Sequence, residues 1–213
     1  MTLSMLTRCW YALLACVITV PIVGTLVLII RADRSIGNFF SYFTVQSNVL
    51  TLAVAVLLVI SPQRASDAFQ LLRIGALTGI TVTGLVYGGL IAPYVHPKGI
   101  ERLYDTLFHY ISPAMAVVGF FVLLPRARFS ARHLWFIAWP LCWLGYTLVR
   151  AAVSQPDYPR EDGTFAKYPY DFLDVDLHGW GTVVGFIAAI TVLLLAVASI
   201  YLWLSRRLAP DQP

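Results

Sequence analysis

Thr44, Asn48, Asp105 and His109 are the residues with which this chain could do chemistry. A hydroxyl is a poor nucleophile until a base takes its proton. Thr44 and His109 could supply that pair. Asp105 is four residues before His109, one helical turn away, so the two side chains can meet. A carboxylate there fixes the tautomer of the imidazole and orients it. Asn48, one turn from Thr44, could donate to an oxyanion. Together these residues outline an acyl-transfer site. The Asp-x-x-x-His spacing recurs at Asp174 and His178, so Asp174 is an alternative orienting group. The same residues support other chemistry. Two carboxylates and two imidazoles make a plausible zinc set. His109 and His178 could be axial haem ligands, although bundle haem sites want more histidines at matching heights. Arg150 is expected to snorkel to the interface, to pair with Asp174 or Asp105, or to hold a substrate carboxylate.

These groups need a scaffold, and composition says which kind. Of 213 residues, 59% are apolar and only 12% charged, about half the charge of an ordinary soluble domain. A soluble chain of this length needs a charged coat, so a free globular protein is excluded. Apolar stretches run near 10–30, 40–60, 71–92, 106–124, 133–153 and 179–204. Each is long enough to cross a bilayer, and backbone groups in hydrocarbon must be satisfied internally, so each is predicted helical. The apolar runs are continuous, not alternating, which excludes a β-barrel. The first stretch is too long for a signal-peptide core and is expected to be retained. The prediction is one all-α, polytopic membrane domain over 1–213 with six transmembrane helices.

Charge sets the orientation. The even-numbered loops and the two termini carry Arg8, Arg64, Arg73, Arg126, Arg128, Arg132, Arg206 and Arg207, with only Asp67 and Asp211 as acids. The opposite side carries Arg31, Arg34, Lys98, Arg102, Arg160 and Lys167, and the remaining acids. The long loop 154–178 contributes weakly to topology, so both termini are expected in the cytoplasm. The basic residues are scattered over loops, which speaks against nucleic acid as a partner. Cys9, Cys16 and Cys142 are odd in number and fall in spans, so no disulfide framework is expected.

In this topology the second, fourth and sixth helices enter from outside. Thr44 and His109 each fall about five residues, or about 7 Å, into their helices. Ser41, Thr44, Asn48 and Thr51 form one polar stripe, which in a membrane should face the bundle interior. Thr44, Asn48, His109 and at least one of Asp105, Asp174 and His178 are therefore expected to line one cavity below the outer interface. The bland alternative is that these side chains bond backbone carbonyls or cap helices. Gly75, Gly79, Gly84 and Gly88 in the third helix, and Gly181 and Gly185 in the sixth, are expected to let helices approach closely. Pro140 is expected to kink the fifth.

The run Tyr42-Phe43-Thr44-Val45-Gln46-Ser47-Asn48, then His109-Tyr110 with Pro113, then Tyr168-Pro169-Tyr170 with Phe172-Leu173-Asp174-Val175 and Gly179-Trp180, resembles the bacterial six-span membrane proteins called Pr-six-Pr. Those are similar to the eukaryotic androgen-induced integral membrane proteins, threonine hydrolases of fatty acid esters of hydroxy fatty acids. Around the threonine the chain matches the bacterial group better. The resemblance implies a Thr44 nucleophile and a His109 base, a lipid-ester substrate and a bacterial inner (plasma) membrane location. The expected function is thus lipid-ester hydrolysis without metal or cofactor. The alternatives are a zinc-dependent membrane hydrolase, or a channel, transporter or scaffold without chemistry.

Overall fold

The computed structural model describes residues 2–123, 125–160 and 163–208. Leu124, the expected end of the fourth span, and Asp211 lie outside them. The protein is an all-α polytopic membrane protein. Six helical stretches are long and apolar enough to span a bilayer: Leu3–Arg31, Phe43–Ile60, Asp67–Tyr94, Gly99–Val122, Ala131–Ser154 and Val175–Leu208.

Within them, α1 is Leu3–Arg31, and a short α2, Ile36–Ser41, precedes α3, Phe43–Ile60. The second span was expected to begin at 40. Instead the chain turns at Tyr42, whose extended φ/ψ of −67° and 131° ends α2 and starts α3. The third span is α4, Asp67–Val86, continued by a π-helical turn, Tyr87–Ile91, and a 3-10 turn, Ala92–Tyr94. The fourth starts earlier than expected with α5, Gly99–Thr106, and passes through a second π-helical turn, Leu107–Ile111, into α6, Ser112–Val122. The fifth begins as a 3-10 stretch, Ala131–Ile137, followed by α7, Ala138–Ser154. Pro140 falls in the first turn of α7, where its missing N–H costs little, and marks the change of helix type.

The last span, α8, is Val175–Leu208, broken at Gly179, whose φ of 73° suits glycine. A two-stranded antiparallel hairpin, Tyr158–Pro159 with Phe165–Ala166, sits in the loop before it.

The third span is the central helix: 56% of its apolar window is buried, against 17% for the fifth. It packs on α3, α6, α8 and the 3-10 stretch of the fifth span. Close approach depends on small residues. A Cβ on Gly75 would meet Phe136 at 3.3 Å, and one on Gly79 would meet the Trp139 ring at 2.8 Å. A Cβ on Gly84 would lie 3.2 Å from the His109 carbonyl oxygen. Gly88, Gly181 and Gly185 behave differently, since a Cβ there meets nothing within 4 Å. These three do not mediate packing within the chain. Large apolar side chains such as Val23, Val149, Val192 and Ile200 are exposed, as expected where the surrounding solvent is lipid.

Candidate active site

Thr44 is the second residue of α3, shallower than its expected depth. Its backbone N–H is one of the donors that a helix start leaves without an internal partner. Tyr42, the N-cap residue, offers no side-chain bond. The loop before α8 fills the gap: Thr44 N donates to the Tyr170 hydroxyl at 3.1 Å, and Thr44 Oγ1 shares a second hydrogen bond with it at 3.2 Å. The Tyr170 ring is held by a parallel stack on Phe172 at 5.2 Å, an edge contact with Tyr42 and a tilted contact with Trp143. Burial pushes the Tyr170 phenol above the ordinary tyrosine value, against the opposing effect of its bonds to Thr44. The phenol is therefore neutral and keeps a proton to donate.

Asn48 is fully buried, and the π-helical turn explains its partners. In the π register the Phe108 carbonyl should receive the N–H of residue 113, which is proline and has none. Asn48 Nδ2 donates to that oxygen at 3.3 Å, and Ser112 Oγ donates to it at 3.1 Å. Asn48 Nδ2 also donates to the Thr44 carbonyl at 2.9 Å, and its Oδ1 accepts from Ser112 Oγ at 2.6 Å. The amide has no free donor aimed at Thr44 Oγ1. The expected oxyanion role thus gives way to a structural one: Asn48 ties α3 to the fourth span. The rest of the polar stripe is likewise engaged. Ser41 Oγ meets the Tyr146 hydroxyl at 2.8 Å, joining α2 to α7, and Thr51 bonds its own helix; Ser47, beside the stripe, meets Thr83 Oγ1 at 2.9 Å.

Asp105 and His109 do form a pair. His109 Nδ1 lies 3.0 Å from Asp105 Oδ1 and 3.0 Å from the Asp105 carbonyl oxygen. A residue with no signal in the sequence completes it. The Tyr87 hydroxyl donates to Asp105 Oδ2 at 2.7 Å, and its ring lies parallel to the imidazole, centroids 3.6 Å apart. Asp105 thus receives one bond on each oxygen.

The other Asp-x-x-x-His spacing does not make a pair. Asp174 precedes its helix in an extended conformation. Its Oδ1 caps the backbone N–H groups of Asp176 and Leu177 at 3.0 and 3.2 Å, and its Oδ2 pairs with Arg160 at 2.8 Å. His178 is exposed, with its ring near Phe186. Arg150 pairs with neither Asp174 nor Asp105. It donates to Asn38 Oδ1 at 2.6 Å and to the Tyr158 hydroxyl at 2.7 Å, tying the end of α7 to α2 and to the hairpin. The two imidazoles and two carboxylates are therefore not one donor set. Among the described residues no three His, Cys, Asp or Glu side chains are grouped to hold a metal ion.

A cleft of about 100 Å³ runs between α4, α7 and α8, lined among others by Thr44, Tyr87, Trp143, Tyr170, Pro140 and Leu194. Thr83 and Thr191 also line it, but their hydroxyls are bonded to Ser47 and to the Ile187 carbonyl. Leu194 is fifteen residues past Gly179, roughly 22 Å further along the helix. The cleft is thus polar near the loop before α8, at Thr44, Tyr87 and Tyr170, and apolar toward the middle of the bundle. Of the residues expected in one cavity, only Thr44 lines it. Asn48 is packed between α3 and the fourth span, and His109 is stacked on Tyr87. Thr44 and His109 are on neighbouring helices, tied together through Asn48 and Phe108, but form no hydrogen bond with each other. Compared with known proteins, the chain matches no family model, no curated protein and no solved structure.

Proposed function

We propose that the chain is a membrane-embedded lipid-ester hydrolase, with Thr44 as nucleophile, His109 as base and Asp105 as the group that orients the imidazole. The observation that carries this reading is the Thr44 hydroxyl at the polar end of an apolar cleft that Tyr87 also lines, with Tyr87 stacked on the imidazole of an oriented Asp105–His109 pair. The cleft suits an acyl chain, and the hydroxyl stands where its ester group would lie. Catalytic bonds are often long before substrate binds. Here Thr44 and His109 share no hydrogen bond, so the two must come together before His109 takes the Thr44 proton. Attack by Oγ1 on the ester carbonyl then gives an acyl-threonine and releases the alcohol, and water returns the acid and the free hydroxyl. The resemblance to the Pr-six-Pr proteins and their threonine-hydrolase relatives supports the same roles.

The arginine bias supports cytoplasmic termini, with the polar end of the cleft at the outer leaflet, and the resemblance to the Pr-six-Pr proteins supports a bacterial plasma membrane. Labelling of a cysteine at the C-terminus by an impermeant reagent from outside would reverse that placement.

The chemical test is hydrolysis of a medium-chain lipid ester by purified protein in detergent. Thr44→Ala and His109→Ala should each abolish it, because the two act as a unit. Thr44→Ser should retain part of the rate, and Asp105→Asn should slow turnover with the fold intact. Full activity in Thr44→Ala refutes the nucleophile assignment. A second reading, a lipid-binding protein without chemistry, is favoured by the bond of the Thr44 hydroxyl to Tyr170 rather than to His109. It expects acyl-chain binding in wild type with no product from any ester.

A further inference from the structure

Stabilising the charge on the attacked carbonyl oxygen is a large part of acyl-transfer catalysis, and Asn48 has no donor free for it. A different donor stands at the nucleophile. The Tyr170 hydroxyl is 3.2 Å from Thr44 Oγ1 and 3.1 Å from the Thr44 backbone nitrogen. It lines the same cleft as Thr44. Its ring is fixed on several sides by Phe172, Tyr42 and Trp143, so the phenol oxygen is held in place before any ligand arrives.

We propose that Tyr170 is a catalytic residue of this site, its hydroxyl forming, with the Thr44 backbone N–H, the oxyanion hole for the ester that Thr44 attacks. This rests on the hydrolase reading above and adds a group that reading lacks. When Oγ1 bonds to the carbonyl carbon, the π pair moves onto the carbonyl oxygen and the Thr44 proton leaves to the base. The new oxyanion lies one bond from that carbon, within reach of both donors. The Thr44 N–H passes from the phenol oxygen to the oxyanion, and the phenol proton turns from Oγ1 toward it. Collapse returns the pair to the carbonyl and expels the alkoxide, which takes the proton from the base. Tyr170 keeps its proton throughout. The buried, neutral phenol is the form this role requires. A nucleophile's own backbone N–H is a recurrent oxyanion donor, and Thr44 N has no helical partner to compete for it.

The experiment uses octyl trifluoromethyl ketone, whose electrophilic carbonyl forms a reversible tetrahedral adduct with a hydroxyl nucleophile. The full-length protein is studied in detergent, with the adduct followed by fluorine NMR. The non-electrophilic octyl methyl ketone serves as the control for cleft binding. Wild type should form the adduct and Thr44→Ala should not. Tyr170→Phe keeps the ring and its stacking, so it should bind the control ketone as wild type does. Its adduct affinity should fall about 100-fold, in line with loss of one oxyanion donor. Wild-type adduct affinity in Tyr170→Phe overturns the proposal and leaves the nucleophile standing. An equal loss for both ketones also overturns it, because that is the signature of a role in shaping the cleft. No adduct in wild type, or an undiminished adduct in Thr44→Ala, overturns the nucleophile assignment and this proposal with it.

Discussion

Replacing Asn48 by alanine should cost stability, by an amount the structure bounds. The change removes two bonds between spans, from Asn48 Nδ2 to the Phe108 carbonyl and from Ser112 Oγ to Asn48 Oδ1. Hydrogen bonds between membrane helices average about 0.6 kcal/mol and reach about 1.7. Two of them give about 1–3 kcal/mol, since the Phe108 oxygen retains Ser112 as a donor. For a chain of this length, that is roughly 2–12 °C in thermal midpoint. The assay is thermal unfolding in detergent of Asn48→Ala, Ser112→Ala and the double variant. The 2.6 Å bond between these residues predicts a coupling energy of at least about 0.5 kcal/mol. Additive losses would refute the shared network. A catalytic Asn48 would behave differently, losing about 100-fold or more in turnover at unchanged stability.

Gly79→Ala should destabilise by about 1–3 kcal/mol, because its Cβ would meet Trp139 at 2.8 Å. Gly181→Ala, which faces open space, should be neutral or slightly stabilising, and equal unfolding midpoints for the two variants would contradict the packing. Tyr42, Tyr158 and Tyr170 lie outside the spans, and burial raises all three phenols. Above a pH of about 10 the unfolded chain ionises first and binds fewer protons than the folded one, so stability should fall. An unfolding midpoint that stays level beyond that pH would contradict the burial of these rings. Arg150→Ala should release the hairpin, since a charge-assisted bond contributes about 1.5–3 kcal/mol. Faster hydrogen exchange in residues 155–170 with unchanged spans is the expected outcome, and unchanged exchange there would show the tie to be inert.

The spans were legible because a twenty-residue apolar run has few other uses. Asp105 and His109 were legible because both lie inside one helix, where a spacing of four brings side chains together. The same spacing failed at Asp174 and His178. Asp174 stands just before its helix, so its carboxylate folds back onto its own N–H groups and never reaches the imidazole. Arg160 reaches it only through a hairpin that no periodicity announces. Tyr87 and Tyr170 look like interfacial aromatics along the chain. Their chemistry comes from partners 18 and 126 residues away. The role of Asn48 depends on a π-helical turn ahead of Pro113, and a 3.6-residue pattern carries no mark of that register.

The tie between Asn48 and the fourth span also bears on biogenesis. Asn48 and Phe108 are 60 residues apart, with the whole third span made in between. At about 5–20 residues per second, the ribosome needs roughly 3–12 seconds after finishing Asn48 to reach its partner. Through that interval the second span carries a primary amide with no acceptor from the fourth, and a polar side chain left facing hydrocarbon is costly. The third span arrives first and offers Thr83 to Ser47, but nothing for Asn48. The second span is therefore expected to linger beside the insertion machinery, or beside a protein that shelters it, and to enter free lipid only together with the fourth.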